Sequence, residues 1–339
     1  MGRKTPIILL LALVLSLCLG ITAAWASSEP EASAIRWRDA VAAARDWDAL
    51  TVGDPEGVQV VTLTAENVYI ATVRSGCGVR ALSGADLVLR DACLDTAETA
   101  ILMDGGSTEL RSVYINAGAA AAELRAGGGI DAADCLFRVR DTAFVLGSGS
   151  LLRLQGCHIR FDGSAGADPD LAAAYGVDLT DPIFAGDAAE EVSDAQDTGC
   201  LLLLGSAGDA AGGIARVELT DCELQGDILS RTADTLLSVS LTDSALTGAI
   251  VPEESGELSL TLRSTRWTVT DTSRLTRLSI DETSEITGVL TVNGRATEIL
   301  PGEYEGELLL SPPFRPIGTL DVSGEIYLNL EDLRDSLGM

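Results

Sequence analysis

The sequence predicts an all-β fold: a single-stranded, right-handed parallel β-helix of about ten coils of 21–22 residues, with an N-terminal helical cap. Three observations predict it. First, "VELTDCELQGD" (Val217 to Asp227) recurs as "VSLTDSALTGA" (Val239 to Ala249), 22 residues on. Second, apolar residues alternate with period two on both sides of a turn-forming residue, the mark of short strands with one dry face. Third, no single unit is large enough to bury its own apolar side, whereas stacked units bury a continuous core.

Taken from the N-terminus, residues 1–26 read as an export signal. "MGRK" is basic, "PIILLLALVLSLCLGI" is apolar, and Ala24-Trp25-Ala26 supplies small residues at the two positions a signal peptidase reads. Cleavage before Ser27 is expected; an uncleaved segment would serve as a membrane anchor. Residues 27–57 form an N-terminal segment. In it "SAIRWRDAVAAARDWDAL" (Ser33 to Leu50) reads as a helix, with Trp37, Val41, Ala44 and Trp47 on one stripe and Ser33 as N-cap. An open β-helix end exposes strand edges and core, so this helix is expected to plug the first coil.

The β-helix is expected over residues 58–294. Residues equivalent to Cys222 run Ala92, Val113, Cys135, Cys157, Cys222, Ser244, Thr265, all small or branched. Two places later stand Leu94, Ile115, Phe137, Ile159, Leu224, Leu246 and Trp267. Three places earlier stand Leu89, Leu110, Ala132, Leu154, Leu219, Leu241 and Leu262; five places earlier, Leu87, Thr108, Ile130, Leu152, Val217, Val239 and Leu260. Just before each anchor sits Asp91, Ser112, Asp134, Gly156, Asp221, Asp243 or Ser264, residue types that tolerate left-handed or side-chain-bonded turns. A further apolar cluster, such as Ala143 to Gly147, supplies a third strand per coil.

One step, Cys157 to Cys222, spans 65 residues. Residues 163–198 lack alternation and are rich in Ala, Asp and Gly. They read as an excursion from one coil, with a smaller one at Gly208 to Gly213; two degenerate coils are the alternative. Residues 295–339 read as a C-terminal cap, because three prolines in "ELLLSPPFRPIG" argue against a central strand there.

Charge and cysteines bound the function. Without Arg3 and Lys4 the chain carries 21 basic against 51 acidic side chains. Such a surface repels nucleic acid and anionic lipid, and suits the solubility of an exported protein. Membrane contact is expected only through an uncleaved N-terminal segment. Six cysteines remain after cleavage, with no Cys-x-x-Cys spacing for zinc. Cys135, Cys157 and Cys222 fall at inward ladder positions as small core residues; Cys135 and Cys157 lie one coil apart, within reach of a bridge. Cys93 is expected to point outward.

The pattern resembles the right-handed parallel β-helix superfamily of pectate lyases, polygalacturonases, tailspikes and autotransporter passenger domains. The resemblance covers about Val58 to Gly294 and is most particular at "LTLRSTRWTVTDTSRLTRLSID" (Leu260 to Asp281), which is similar to passenger-type, adhesin-like repeats. It implies the fold and leaves the activity open, since one rod hosts many chemistries.

Function on such a rod belongs to its outward columns. One reads Cys93, Tyr114, Leu136, His158, Glu223, Ala245, Arg266; another, Asp95, Asn116, Arg138, Arg160, Gln225, Thr247, Thr268. With a third column through Asp131, Arg153 and Glu218, they bring Tyr114, Arg138, Arg153, His158 and Arg160 towards one region. This is a candidate ligand face for an acidic saccharide, held by bidentate arginine contacts. The competing reading is an ordinary solvated face balanced by Asp131, Asp134, Asp141 and Asp162.

Catalytic signatures are thin. A pectate-type lyase gathers acids on adjacent coils, and a polygalacturonase-like site needs a Gly-His-Gly turn; here the one histidine, His158, stands in "GCHIRFD". No catalytic residue and no cofactor are assigned. Calcium suits the carboxylates of residues 163–198, but they lack the EF-hand register. The sequence therefore points to an exported, non-enzymatic, adhesin-like binding or structural module, with a saccharide or a cell-surface protein as partner. The alternative is a polysaccharide-acting lyase, hydrolase or esterase.

Overall fold

The computed structural model describes residues 61–72, 77–125, 127–166, 168, 170, 173, 199–204, 213–231, 235–252 and 256–313, with two short strands at Ile35–Arg36 and Leu50–Val52. Residues 1–26, read above as an export signal, most of residues 163–198 and the end of the expected C-terminal cap lie outside the described residues.

The chain winds as a parallel β-helix of about eight turns with three sheets. Each turn visits the third sheet, then the first, then the second, as in Leu151–Gln155, His158–Phe161 and Cys200–Leu204. The first sheet has ten strands in the order the chain makes them, and the second has eight. The third has twelve, of which those up to Ser273–Ile280 run parallel.

Register follows the expected ladders. Leu224 pairs with Leu246 and Leu246 with Trp267, and all three are buried. Leu87, Leu89, Leu110, Ile115, Phe137, Leu152, Val217, Leu241 and Leu260 also face the dry axis. Each fully buried Leu or Ile contributes about 1.5–3 kcal/mol, so a like-on-like ladder is the main cohesive term. Phe137 and Phe144 meet edge to face at 5.1 Å between centroids. Trp267 satisfies its one polar atom by donating from Nε1 to the Gly248 carbonyl at 3.0 Å.

The corner between the third and first sheets explains the turn-former column. Asp91, Ser112, Asp134, Asp221, Asp243 and Ser264 have φ of 48–55°, and Gly156 has φ 59°. This left-handed conformation crowds Cβ against the backbone, so unbranched Asp, Asn, Ser and Gly are favoured. The backbone ladder runs through the corner: Asp91 N donates to Arg111 O, and Asp221 N to Thr242 O, each at 3.0 Å. Asn67 (φ 53°) occupies the same corner one coil earlier, where a 24-residue step hides it from a 22-residue search.

The 65-residue step is one coil. Leu152 pairs with Val217, His158 with Glu223, and Val145 with Leu203. Cys157 and Cys222 thereby become neighbours, and Cys135, Cys157 and Cys222 stack on three successive rungs. No disulfide joins Cys77, Cys93, Cys135, Cys157, Cys200 or Cys222.

Several expectations change. The turns number about eight instead of ten, because parallel winding stops after Glu285–Thr287. Val289–Val292 and Arg295–Thr297 form an antiparallel hairpin closed by Asn293 and Gly294, both with positive φ. Gly302–Ser311 then inserts antiparallel between Ser273–Ile280 and Val289–Val292. "ELLLS" is thus a central strand, with Leu308 and Leu310 fully buried. Pro312 and Pro313 begin just past its end, so they remove none of its ladder bonds. This reversal caps the core with strands.

At the N-terminus, the only described residues of the stretch read as a capping helix are Ile35, Arg36 and Leu50, which lie in strands. Ile35–Arg36 pairs with Val68 and Tyr69, and Leu50–Val52 pairs with Val79–Ala81. Residues 37–49 lie outside the described residues.

Candidate functional site

The outward face of the first sheet divides into a covered half and an open half. In the covered half, Cys93, Asp95 and Asn116 point away from the core yet are 3% exposed or less. Asp95 and Asn116 are covered by Gly166 and Asp168, where the chain leaves the coil. Tyr69 Oη donates to Asp95 Oδ2 at 2.8 Å, Asn116 Nδ2 to Asp95 Oδ1 at 2.7 Å, and Asp168 N to Asp95 Oδ2 at 2.9 Å. Asn116 also donates to the Gly166 carbonyl and accepts from Gly166 N at 3.2 Å.

Arg138 joins this network on the next rung. Its Nε donates to Asp162 Oδ2 at 3.0 Å, its Nη2 to Ser164 Oγ at 2.8 Å, and its Nη1 to Asn116 Oδ1 at 3.3 Å. Arg140, beyond the strand end, donates to the Gly163 and Ala165 carbonyls. Burial raises the Asp95 carboxyl above its ordinary pKa, although its three hydrogen-bond donors pull the other way. Burial likewise raises Tyr69, and pushes the Cys93 thiol up to about 12. Asp162 is lowered to about 2 by the Ser164 hydroxyl and backbone N–H, with Arg138 adding to the effect.

The residues of the expected ligand face therefore separate. Tyr114 is half-buried beside Arg138; burial raises its pKa, with the Arg138 guanidinium pulling the other way. Arg138 is engaged by the chain's own Asp162. Arg153 lies on the third sheet, around the corner, and donates to Glu218 Oε2 at 2.7 Å, which keeps the Glu218 carboxyl below its ordinary range. Arg160 and His158 are exposed on the first sheet, on neighbouring columns. The structure brings Tyr114 and Arg138 together and sets Arg153 apart from both.

The open half holds an open groove of about 710 Å³ along the corner between the third and first sheets. Its floor is the outward column His158, Glu223, Ala245, Arg266, Glu285, paired rung by rung. Its rim is the turn column Asp221, Asp243, Ser264 and Thr283. On this floor Ala245, the smallest side chain of the column, is in register with Glu223 on one rung and Arg266 on the next. At roughly 4.8 Å per rung, the five floor positions span about 19 Å along the rod. Every charged group here is solvent-exposed, and none forms an ion pair among the described residues. Beside the floor, Gln225, Thr247, Thr268 and Thr287 form a second exposed, uncharged column.

Of the expected ligand face only His158 lines this groove. Glu223, Ala245 and Arg266 were visible as column members, but their part in a concave surface depends on the turn residues beside them. Among the described residues, no group of three or more His, Cys, Asp or Glu side chains is placed to hold a metal ion, and no helix is long and apolar enough to cross a membrane. No family model, no curated protein and no solved structure matches the chain.

Proposed function

We propose that the protein is an exported, non-enzymatic binding module, adhesin-like in character, whose rod presents the corner groove to a glycan chain lying along its axis. The observation that carries this reading is the groove: a polar trough crossing five rungs, lined with hydroxyls and with carboxylates and one guanidinium that have no ion-pair partner among the described residues. A rung spacing near 4.8 Å is close to the rise of one hexose in an extended glycan. Each rung would then offer one side chain per sugar. Carboxylates accept from vicinal sugar hydroxyls, Arg266 donates to ring or hydroxyl oxygens, and the flat floor at Ala245 leaves room for a pyranose face.

Electrostatics sets the ligand class. Asp221, Glu223, Asp243 and Glu285 outnumber Arg266, on a chain of net charge −28. Neutral or amine-bearing glycans fit this field; acidic ones are repelled. The arginines first expected to hold an acidic saccharide are divided: Arg138 and Arg153 pair with the chain's own acids, while Arg160 stays exposed.

A glycan array probed with the mature protein, with and without calcium, tests the reading. Binding that Ala245→Trp abolishes supports it, since the indole fills the trough. Binding that survives Ala245→Trp, or retention of acidic glycans alone, overturns the groove. Release of reducing ends or unsaturated products that His158→Ala abolishes would replace the module with an enzyme.

A further inference from the structure

We propose that the outer face of the first sheet at Asp95, Asn116 and Arg138 is a peptide-recognition surface, occupied in cis by this chain's own residues 162–166 and 168. The contacts are those of a receptor with a ligand. The Asn116 side-chain amide reads one peptide group with both its donor and its acceptor, bonding the carbonyl and the N–H of Gly166. Asp95 accepts the Asp168 N–H, and Arg140 holds the carbonyls of Gly163 and Ala165. Arg138 takes the Asp162 carboxylate at 2.9 Å, with the Asp168 carboxylate at 3.9 Å.

The face selects a particular segment. Ala165 is fully buried beneath it. Gly166 has φ 129°, and a Cβ there would lie 3.4 Å from both the Gly118 Cα and an Arg140 nitrogen. The segment holds its own turn: Asp162 Oδ1 accepts from the Ser164 hydroxyl and N–H, and Ala165 N donates to Asp162 O. The recognised pattern is Asp-x-Ser-Ala-Gly-x-Asp, a small-residue turn with an acid at each end. Polar side chains on a solenoid exterior are ordinarily hydrated. Here a carboxylate and an amide are removed from water, and the strap supplies the hydrogen bonds that offset the desolvation. Covalent linkage gives the strap a high effective concentration, so a free peptide of the same pattern competes only when the strap is weakened.

The test uses the whole mature chain and a fluorescein-labelled peptide of residues 162–168, followed by anisotropy. Gly166→Val undocks the strap, because a β-branched residue does not tolerate that φ. The variant is expected to bind the peptide at least tenfold more tightly than the wild type does, and adding Arg138→Ala should remove the binding. A folded Gly166→Val protein that ignores the peptide overturns the proposal. So does equal binding by the wild type, or binding indifferent to Arg138. Hydrogen exchange provides a second arm that does not need that variant. The Gly166 and Asp168 amides should exchange slowly in the wild type and at least tenfold faster in Asn116→Ala; unchanged rates overturn the proposal as well.

Discussion

The Tyr69 hydroxyl donates to the Asp95 carboxylate at 2.8 Å on the outside of the rod, yet neither residue is more than 2% exposed. This pair lies beside the strap and shows how far it seals the outer face. Tyr69→Phe removes one of three donors from a buried carboxylate and should cost about 1–3 kcal/mol, read from urea unfolding. Burial also raises the Tyr69 phenol, so an absorbance titration of the wild type should show one tyrosine that stays protonated through the usual alkaline range.

Acid should loosen the strap through Asp162. Its pKa is lowered to about 2, so the ionised form is the one docking favours. The stabilisation is present above the unfolded carboxylate pKa of about 3.9 and is lost as pH falls towards 2. Asp95, raised by burial, acts in the opposite sense and favours docking as pH falls through its folded pKa. Hydrogen exchange at Gly166, corrected for intrinsic rate, should rise between pH 4 and 2 if Asp162 dominates. A fall in exchange would assign the switch to Asp95.

The left-handed corner makes opposite predictions for two substitutions at one site. Asp221 has φ 53°. Asp221→Gly should be near neutral, while Asp221→Val should cost about 1–3 kcal/mol in backbone strain. Thermal melts of the two variants check this; equal midpoints would mean that the corner relaxes.

Thr108 replaces an aliphatic residue in its ladder, and its hydroxyl oxygen is buried with no hydrogen-bond partner among the described residues. Thr108→Val, between Leu87 and Ile130, should raise stability by about 1–2 kcal/mol. An unchanged or lower denaturation midpoint would show that the hydroxyl is satisfied in solution.

Removing a ladder rung should be expensive. Leu246 is paired with Leu224 and Trp267 on the rungs to either side and is 1% exposed. Leu246→Ala should cost about 2–5 kcal/mol, and the same change at exposed Leu300 far less. Urea midpoints of the two variants give the comparison.

The sequence alone determined the solenoid. Period-two alternation, the 21–22-residue step and the Asp/Ser/Gly column before Ala92, Cys135 or Cys222 are local properties. Each coil solves the same problem of backbone conformation and burial, so the pattern is written once per turn. Even the 65-residue step resolves correctly, because Leu152 and Val217 keep their place in the ladder. Only the tertiary structure decided what the outward columns do. In sequence Arg138 reads either as a ligand-binding arginine or as one balanced by nearby acids, Asp162 among them; that Asp162 and Ser164 hold it depends on a chain exit whose path no repeat specifies. The groove along Ala245 likewise needs two columns at once, Glu223 and Arg266 on its own and the Asp221–Asp243 turn column beside it. The antiparallel close at Gly302–Ser311 was hidden for the same reason. Inward positions are constrained by their own strand, whereas outward polar groups take their roles from whatever distant segment or solvent meets them.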